Sequence, residues 1–498
     1  MVARMSVPTI RVRAVNDASF RADGDYVVYW MTSTRRRRYN FGLQRAVEWA
    51  EQLCKPLVIL EALRVGYRWA SDRLHGFVLD GMAENLSAFG GGAALYHPYV
   101  EPTAGAGAGF LDALSAKACV VVTDYFPAFF LPQMIAAAGK KLAVKLECVD
   151  SCGLLPIAAA DRDFPTAYVF RRFLQKNLAS HLAELPDEDP LAGKTLPRLE
   201  SLPNALTTRW PMASEALLSR DPRALAKLPI DHEVGVVPLQ GGAAAAEATL
   251  SHFLDENLAK YGEGRNHPDD GAASGLSPYL HFGHLSVHEV LARIADDAGW
   301  TPAKLARTAS GKREGWWNLP APVESFLDEI VTWRELGYNH CARNPDTYDR
   351  YESLPAWARA SLEKHESDPR STLYTREQLA NSQTHDPIWN AAQTELRETG
   401  RMHNYLRMLW GKKILEWSES PRVALEHLIE LNNRYAVDGR NPNSYTGIFW
   451  TLGRYDRPWA PERAIFGVIR YMSSDSTKKK LHMKAYLAKY GGGQKALL

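Results

Sequence analysis

Nowhere in this chain is there an apolar run long enough to cross a membrane, and no leader peptide opens it; an intracellular, cytoplasmic protein is expected. Cysteine is scarce. The five residues Cys54, Cys119, Cys148, Cys152 and Cys341 are odd in number and scattered. Cys148 and Cys152 lack the second pair that would close a zinc site, so reduced thiols are expected and no metal site is read. Charge of one sign is also missing: 59 Lys and Arg stand against 57 Asp and Glu, a net charge of +2. That excludes a wholly basic coat and leaves room for local patches. Arg35–Arg38 and Lys478–Lys480 are the candidates, although each alone is better read as a solvated surface run. No repeat of fixed period, Ser–His–Asp order or paired-carboxylate site is present. Gly105-Ala106-Gly107-Ala108-Gly109 has no strand just before it and no Gly-Lys-Ser/Thr after it, so a flexible loop is expected there. Asp124 and Asp150 follow strands without partners that the sequence identifies.

At 498 residues the chain is too long for one ordinary core. Hydrophobic content of 46% describes a soluble globular protein, and fourteen tryptophans suit a large core, stacking on flat rings, or electron movement. Residues 1–20 are polar and Arg-rich, a flexible N-terminal arm. Over 21–155, short apolar runs (26–30, 56–60, 93–96, 119–124, 142–146) alternate with helical patterns (40–53, 75–89, 129–138, the last closed by Gly139). This predicts an α/β domain with a doubly wound parallel sheet, whose ligands sit at the carboxyl ends of strands. Prolines recur through 156–242, a connector wrapped on the surface. From 243 to 498 the pattern is helical nearly throughout, with helices expected over 248–261, 287–296, 323–341, 355–366, 386–398, 402–417 and 422–435: an all-α C-terminal domain.

The stretch Thr399–Trp417 organises the chain. Leu406, Trp410, Ile414 and Trp417 share one helix face. Trp410 and Trp417 are separated by about 10.5 Å of helix axis at ~1.5 Å per residue. The same helix carries Asn404, Arg407, Met408, Lys412 and Lys413, more donors than a core helix needs unless something polar lies against it. A plain core helix with two large aromatics is the alternative. Four other segments carry candidate chemistry. Ser274–Gly283 is a turn entering a helix, where serines and free backbone N–H groups suit a phosphate, or simply cap the turn. Glu329 and Trp333 are four apart on one helix, a carboxyl beside a flat ring, which suits a nucleobase. Leu431–Asn443 is a polar stretch after a helix, readable as a capped turn. Trp450, Arg457, Trp459 and Arg470 interleave rings and cations, as base stacking and phosphate binding require.

Thr399–Met408 resembles the flavin-cradling helix of the photolyase/cryptochrome family. Its continuation Leu409–Trp417 resembles the class II branch, the cyclobutane pyrimidine dimer (CPD) DNA photolyases. The resemblance runs from about Ala14 onward and is strongest after Tyr261. It implies the photolyase/cryptochrome fold, FAD in the helical domain, and light-driven electron transfer from reduced FAD to a dimer flipped out of UV-damaged DNA. It further implies that Tyr261, Ser274, Gly275, Leu276, Ser277, Arg334, Asn404, Arg407, Asn432 and Asp438 contact the flavin, Asn432 near its N5. The neighbouring Asn433 leaves that register open by one. Glu329, Trp333, Met408 and Trp450 would hold the lesion. Arg457 and Trp459 would fill the hole it leaves, in a loop one residue longer than usual, and Arg470 would touch DNA. Trp410, Trp389 and Trp417 would form the electron chain. An antenna chromophore of deazaflavin or folate type, and a monomer, are compatible with the resemblance. The competing readings are a cryptochrome-like blue-light receptor and a helical nucleic-acid-binding protein without photochemistry.

Overall fold

The computed structural model describes residues 6–492. Strands β1 (Val12–Ala14), β2 (Tyr26–Met31), β3 (Leu57–Leu63), β4 (Ala94–Val100), β5 (Ala118–Asp124) and β6 (Leu146–Val149) form one sheet in the order β1-β6-β5-β2-β3-β4. β2 to β6 run parallel, and β1 joins antiparallel to β6. Every residue of β2 and β5 is buried, as in a parallel sheet covered on both faces. Alternate residues divide the cover: Val27, Tyr29 and Met31 pack with Phe41 and Val47, while Tyr26, Val28 and Trp30 pack with Phe110 and Ile135.

Four expectations in this part are corrected. The described part of the first twenty residues is not a loose arm: it contains β1, and the buried Arg11 donates to the carbonyls of Asp150, Gly153 and Leu154. The last helix runs Leu131–Lys141 straight through Gly139, where a side chain would stand only 2.7 Å from Val15, so the following strand starts only at Leu146. Asp124 has partners: its Oδ2 accepts the amides of Thr32, Ser33 and Thr34, and Tyr29 donates to Oδ1 at 2.6 Å. Asp150 accepts from the Cys152 and Ile157 amides. The Arg35–Arg38 run is a seam between parts of the fold. Arg35 pairs with Glu61, Arg37 with Asp189 and Arg38 with Glu188, and buried Arg36 donates to the carbonyls of Arg38, Tyr39 and Gly283. Its charge is spent on holding the α/β part to the connector and the helices.

Beyond the proline-rich connector, the chain is helical, built on two apolar cores. One surrounds Trp389, Trp410 and Trp417, and the other surrounds Tyr261, Phe326 and Leu336. The expected helices form, with departures: the 248–261 segment is broken by a π turn over Phe253–Asn257 and a 3-10 turn over Leu258–Lys260, so Tyr261 begins its own short helix. The 323–341 segment contains a π turn over Asp328–Trp333, which shifts Glu329 and Trp333 relative to an ideal α-helix; such turns gather at functional sites. A further helix, Pro442–Thr451, follows the polar stretch at 431–443, and Asn432 and Asn433 belong to the last turn of helix Pro421–Tyr435. Among the described residues, no helix is long and apolar enough to cross a membrane.

Candidate active site

The turn at 274–277 is shaped by Gly275. Its φ is +72°, and a side chain there would stand 2.9 Å from the Arg401 guanidinium. Leu276 anchors the turn in the core, and Ser277 begins helix Ser277–Phe282. Ser277 Oγ donates to Asp438 Oδ2 at 2.7 Å, and Arg407 Nη2 donates to Asp438 Oδ1 at 3.1 Å. Three expected flavin contacts from three separate segments therefore meet on one carboxylate. Burial raises the Asp438 carboxyl, but the Arg407 charge and the two hydrogen bonds outweigh it and hold the group below the ordinary aspartate range. Asn404 is exposed at the first position of helix Asn404–Trp417, one residue after His403. Burial pushes His403 down to about 4, against its bond to the Arg265 backbone, and its Nδ1 has no partner among the described residues.

Asn432 and Asn433 separate clearly. Asn433 donates to the Tyr445 hydroxyl at 3.1 Å and accepts the Arg440 amide at 2.9 Å, so both ends of its amide are engaged. Asn432 donates to Ser444 Oγ at 2.7 Å and to Asn433 Oδ1 at 3.2 Å. Both recorded bonds use its Nδ2. Arg334 does not join this group. It donates to the Cys152 carbonyl and to the Tyr338 hydroxyl at 3.2 Å, lies over the Tyr338 ring, and so ties the helices to the end of the α/β part.

Tyr261 packs edge-on against Phe253 and Phe326, with the Arg265 guanidinium over its ring. Arg265 forms an ion pair with Glu329, and Trp333 packs half-buried on the same core. Burial lowers the Arg265 pKa, but Glu329 and Tyr261 raise it further and win. No local pattern marks Arg265, because its partner lies 64 positions away.

The three tryptophans of the expected chain touch in series. Trp389 and Trp410 lie parallel, centroids 6.4 Å apart and planes 5° apart, and Trp389 meets Trp417 at 5.7 Å and 69°. All three are buried. Trp389 Nε1 donates to the Trp410 carbonyl at 3.0 Å, and Trp410 Nε1 donates to Gln393 Oε1 at 2.9 Å. Beyond Trp417 stands Tyr374, edge-on at 5.4 Å, with the exposed His385 Nδ1 2.6 Å from its hydroxyl.

A cavity of about 570 Å³ opens beside this helix. Met408, Trp450, Trp459 and Arg470 line it together, with Tyr405 and Lys480. Arg470 is stacked between two indoles, 4.1 Å from Trp459 and 5.5 Å from Trp450. Asp456, which sequence reasoning missed, clamps it through Nε at 2.8 Å and Nη2 at 3.1 Å and also accepts from Trp459 Nε1. Arg457 is exposed, 4.6 Å from the other indole contact, Trp459. Of the two basic runs considered, Lys478–Lys480 is the one at this cavity, with Lys480 over the Tyr405 ring. Glu329 and Trp333 do not line it.

A second cavity, about 410 Å³, lies at the carboxyl ends of β2, β3 and β4, where a doubly wound sheet binds ligands. Trp30, Leu60, Glu101, Phe110 and Phe130 line it. The Gly105–Gly109 loop forms part of its rim, held by Gly107 N donating to Glu101 Oε1.

The fold is that of the photolyases. A class III photolyase from Agrobacterium tumefaciens superposes with a TM-score of 0.63 at 18% identity, over 94% of this chain and 86% of that one. An archaeal photolyase from Sulfolobus tokodaii, solved with two FAD molecules, gives 0.59 at 14% identity, over 93% and 89%. No family model matches. The deoxyribodipyrimidine photo-lyase of Methanothermobacter thermautotrophicus is 34% identical over 484 residues, 97% of this chain and 98% of that protein. That of Oryza sativa is 34% identical over 96% of this chain and 90% of its own, and that of Potorous tridactylus 30% over 96% and 83%. The chain belongs to the deoxyribodipyrimidine photo-lyases, a family of enzymes.

Proposed function

We propose that the protein repairs cyclobutane pyrimidine dimers in UV-damaged DNA by light, in the manner of the class II branch. FAD sits against Tyr261, the 274–277 turn, Asn404, Arg407, Asn432 and Asp438. The single observation that carries the reading is the 570 Å³ cavity, which brings Met408, Trp450, Trp459 and Arg470 to the helix that also bears Trp410. The residues fit the cofactor. Gly275 leaves a bare backbone at the turn, Arg407 and Ser277 supply donors beside one carboxylate, and His403 presents a neutral imidazole. When bound and reduced, the flavin supplies the photoexcited electron, which the protein itself cannot generate.

The chain's own residues do the rest. Trp450 and Met408 receive the flipped dimer in a pocket partly shut off from water, and flipping is least costly at a damaged, poorly stacked site. Glu329 and Trp333, which the resemblance assigns to the thymine edge, stand outside this cavity, Glu329 paired with Arg265, so they reach the lesion only from its rim. Trp459 and Arg457 occupy the gap in the duplex, and the Lys478–Lys480 run faces the backbone. Trp410, Trp389 and Trp417 carry positive charge outward during light-driven activation. The 410 Å³ cavity in the α/β part is the place for a second, light-harvesting chromophore, deazaflavin or folate in type.

The test is an absorption spectrum of the purified protein before and after blue light, followed by repair of dimer-containing DNA with and without light. Flavin bands and light-dependent repair are expected. A colourless protein, or a flavoprotein that leaves dimers intact in light, overturns the reading.

A further inference from the structure

A charged side chain behind the 570 Å³ cavity is unused by this account. Lys412 lies on helix Asn404–Trp417, four residues after Met408, and is fully buried. Its Nζ donates to the Thr451 carbonyl at 2.7 Å and stands 4.9 Å from the centroid of the Trp450 ring. Thr451 ends helix Pro442–Thr451, so this carbonyl lies at the helix's negative pole. The charged groups facing Lys412 are Asp456 and Arg470, both from the loop over the cavity. Asp456 is already occupied by Arg470, Trp459 and the Arg457 amide. The ammonium therefore has one carbonyl and one aromatic face for company.

Such a group is costly to bury, and an apolar chain of the same length would fill the space without that cost. Burial pushes Lys412 down to about 7, with Arg470 adding to the shift and Asp456 opposing it. The neighbouring Arg470 does not supply the same field, because Asp456 cancels its charge at 2.8 Å. A pocket in which a neutral dimer must take on an electron gains from a positive charge held close by in a poorly screened place.

We propose that Lys412 is a positioning residue for dimer splitting, acting through Trp450: its ammonium keeps the lesion cavity at positive potential and favours the electron on the bound dimer. Lys412 exchanges no proton and no electron. The electron arrives on the dimer, the two carbon–carbon bonds of the cyclobutane ring open, and the electron departs. The inference rests on the assignment of this cavity to the lesion.

The test uses chemically pre-reduced holoenzyme and dimer-containing DNA, reading dimers split per absorbed photon and dimer affinity separately, from about pH 6 to about pH 9. In the wild type the yield falls about threefold to tenfold as the pH rises, while affinity stays level. K412M gives the low yield at every pH with unchanged affinity and flavin content, and K412R keeps the high yield throughout. A level wild-type profile, a K412M yield equal to wild type, or a K412R yield as low as K412M overturns the proposal. The wild-type profile needs no substitution, so a variant that fails to fold leaves the test standing. Trp450→Ala is measured alongside: if it binds dimer DNA as tightly as the wild type, the lesion assignment itself falls, independently of Lys412.

Discussion

Trp389 donates its indole N–H to the backbone carbonyl of Trp410 and lies parallel to the Trp410 ring at 6.4 Å. The bond fixes the distance between two rings that are 21 residues apart in sequence. Trp389→Phe keeps an apolar ring but loses this bond and some volume, while the Trp410 carbonyl keeps its place in the helix ladder, at a cost of about 1–2 kcal/mol. Light-driven reduction of the bound flavin should be lost in Trp389→Phe and in Trp410→Phe, because phenylalanine is a far poorer electron donor than indole. Both variants should still repair dimers once reduced chemically. Glu329→Ala should do the reverse. Flavin absorbance under blue light, beside a repair assay, reads both. Normal photoreduction in the two tryptophan variants would remove these residues from the chain.

The Asp456 clamp changes what is expected of Arg470. Arg457→Ala should lower the salt slope of DNA binding by roughly one. Arg470→Ala should lower it by less, since its charge is already matched. Asp456→Asn should strengthen binding and steepen the slope. Fluorescence anisotropy across a salt series decides this, and equal slopes for all three variants would contradict the clamp.

Gly275→Ala places a side chain at a φ of +72° and within 2.9 Å of the Arg401 guanidinium. The backbone alone should cost about 1–2 kcal/mol. The turn carries Ser277 towards Asp438, so flavin occupancy should fall with stability. The checks are the melting temperature and the ratio of flavin to protein absorbance. A variant with full flavin content would detach the turn from the cofactor.

Glu335 gives a pH dependence with a defined sign. It is buried, and it accepts the amides of Leu154 and Leu155. Burial pushes it up to about 7, against Arg334 and the two amides. A carboxyl raised on folding contributes stability below its unfolded value and loses that contribution as the pH climbs through the folded one. Stability should therefore drop between about pH 4.5 and pH 7, by about 3 kcal/mol from this group. Glu335→Gln, which cannot ionise, should flatten that part of the curve. Melting temperatures across the range test it.

Local pattern carried the architecture well wherever one periodicity dominated. The alternation of apolar runs and helices gave the parallel sheet, and the 3.6-residue spacing put Trp410 and Trp417 on one face. It could not place Trp389 between them, because that depends on packing of a separate helix; the family resemblance supplied it. The Arg35–Arg38 run misled for a physical reason: a charge run looks the same whether it faces water or a seam lined with carbonyls and carboxylates. Gly139 read as a stop, yet it serves a close approach to Val15. Arg265 stayed hidden because its partner Glu329 lies 64 positions away, and Lys412 was visible only as one donor among several because the carbonyl it meets, Thr451, lies 39 positions on. Asp456 stayed hidden although its partners are near in sequence, because nothing local marks which cation it will clamp.

Helix Asn404–Trp417 and helix Pro442–Thr451 meet at Gly411, where any side chain would collide with the Thr451 methyl. On one helix lies Trp410, proposed as the inner ring of the charge relay, and on the other lies Trp450, which lines the 570 Å³ cavity. The two are thus mounted back to back on a single hinge-free joint with no slack. Widening that joint should retune activation and repair together, so substitutions that improve one should seldom leave the other untouched.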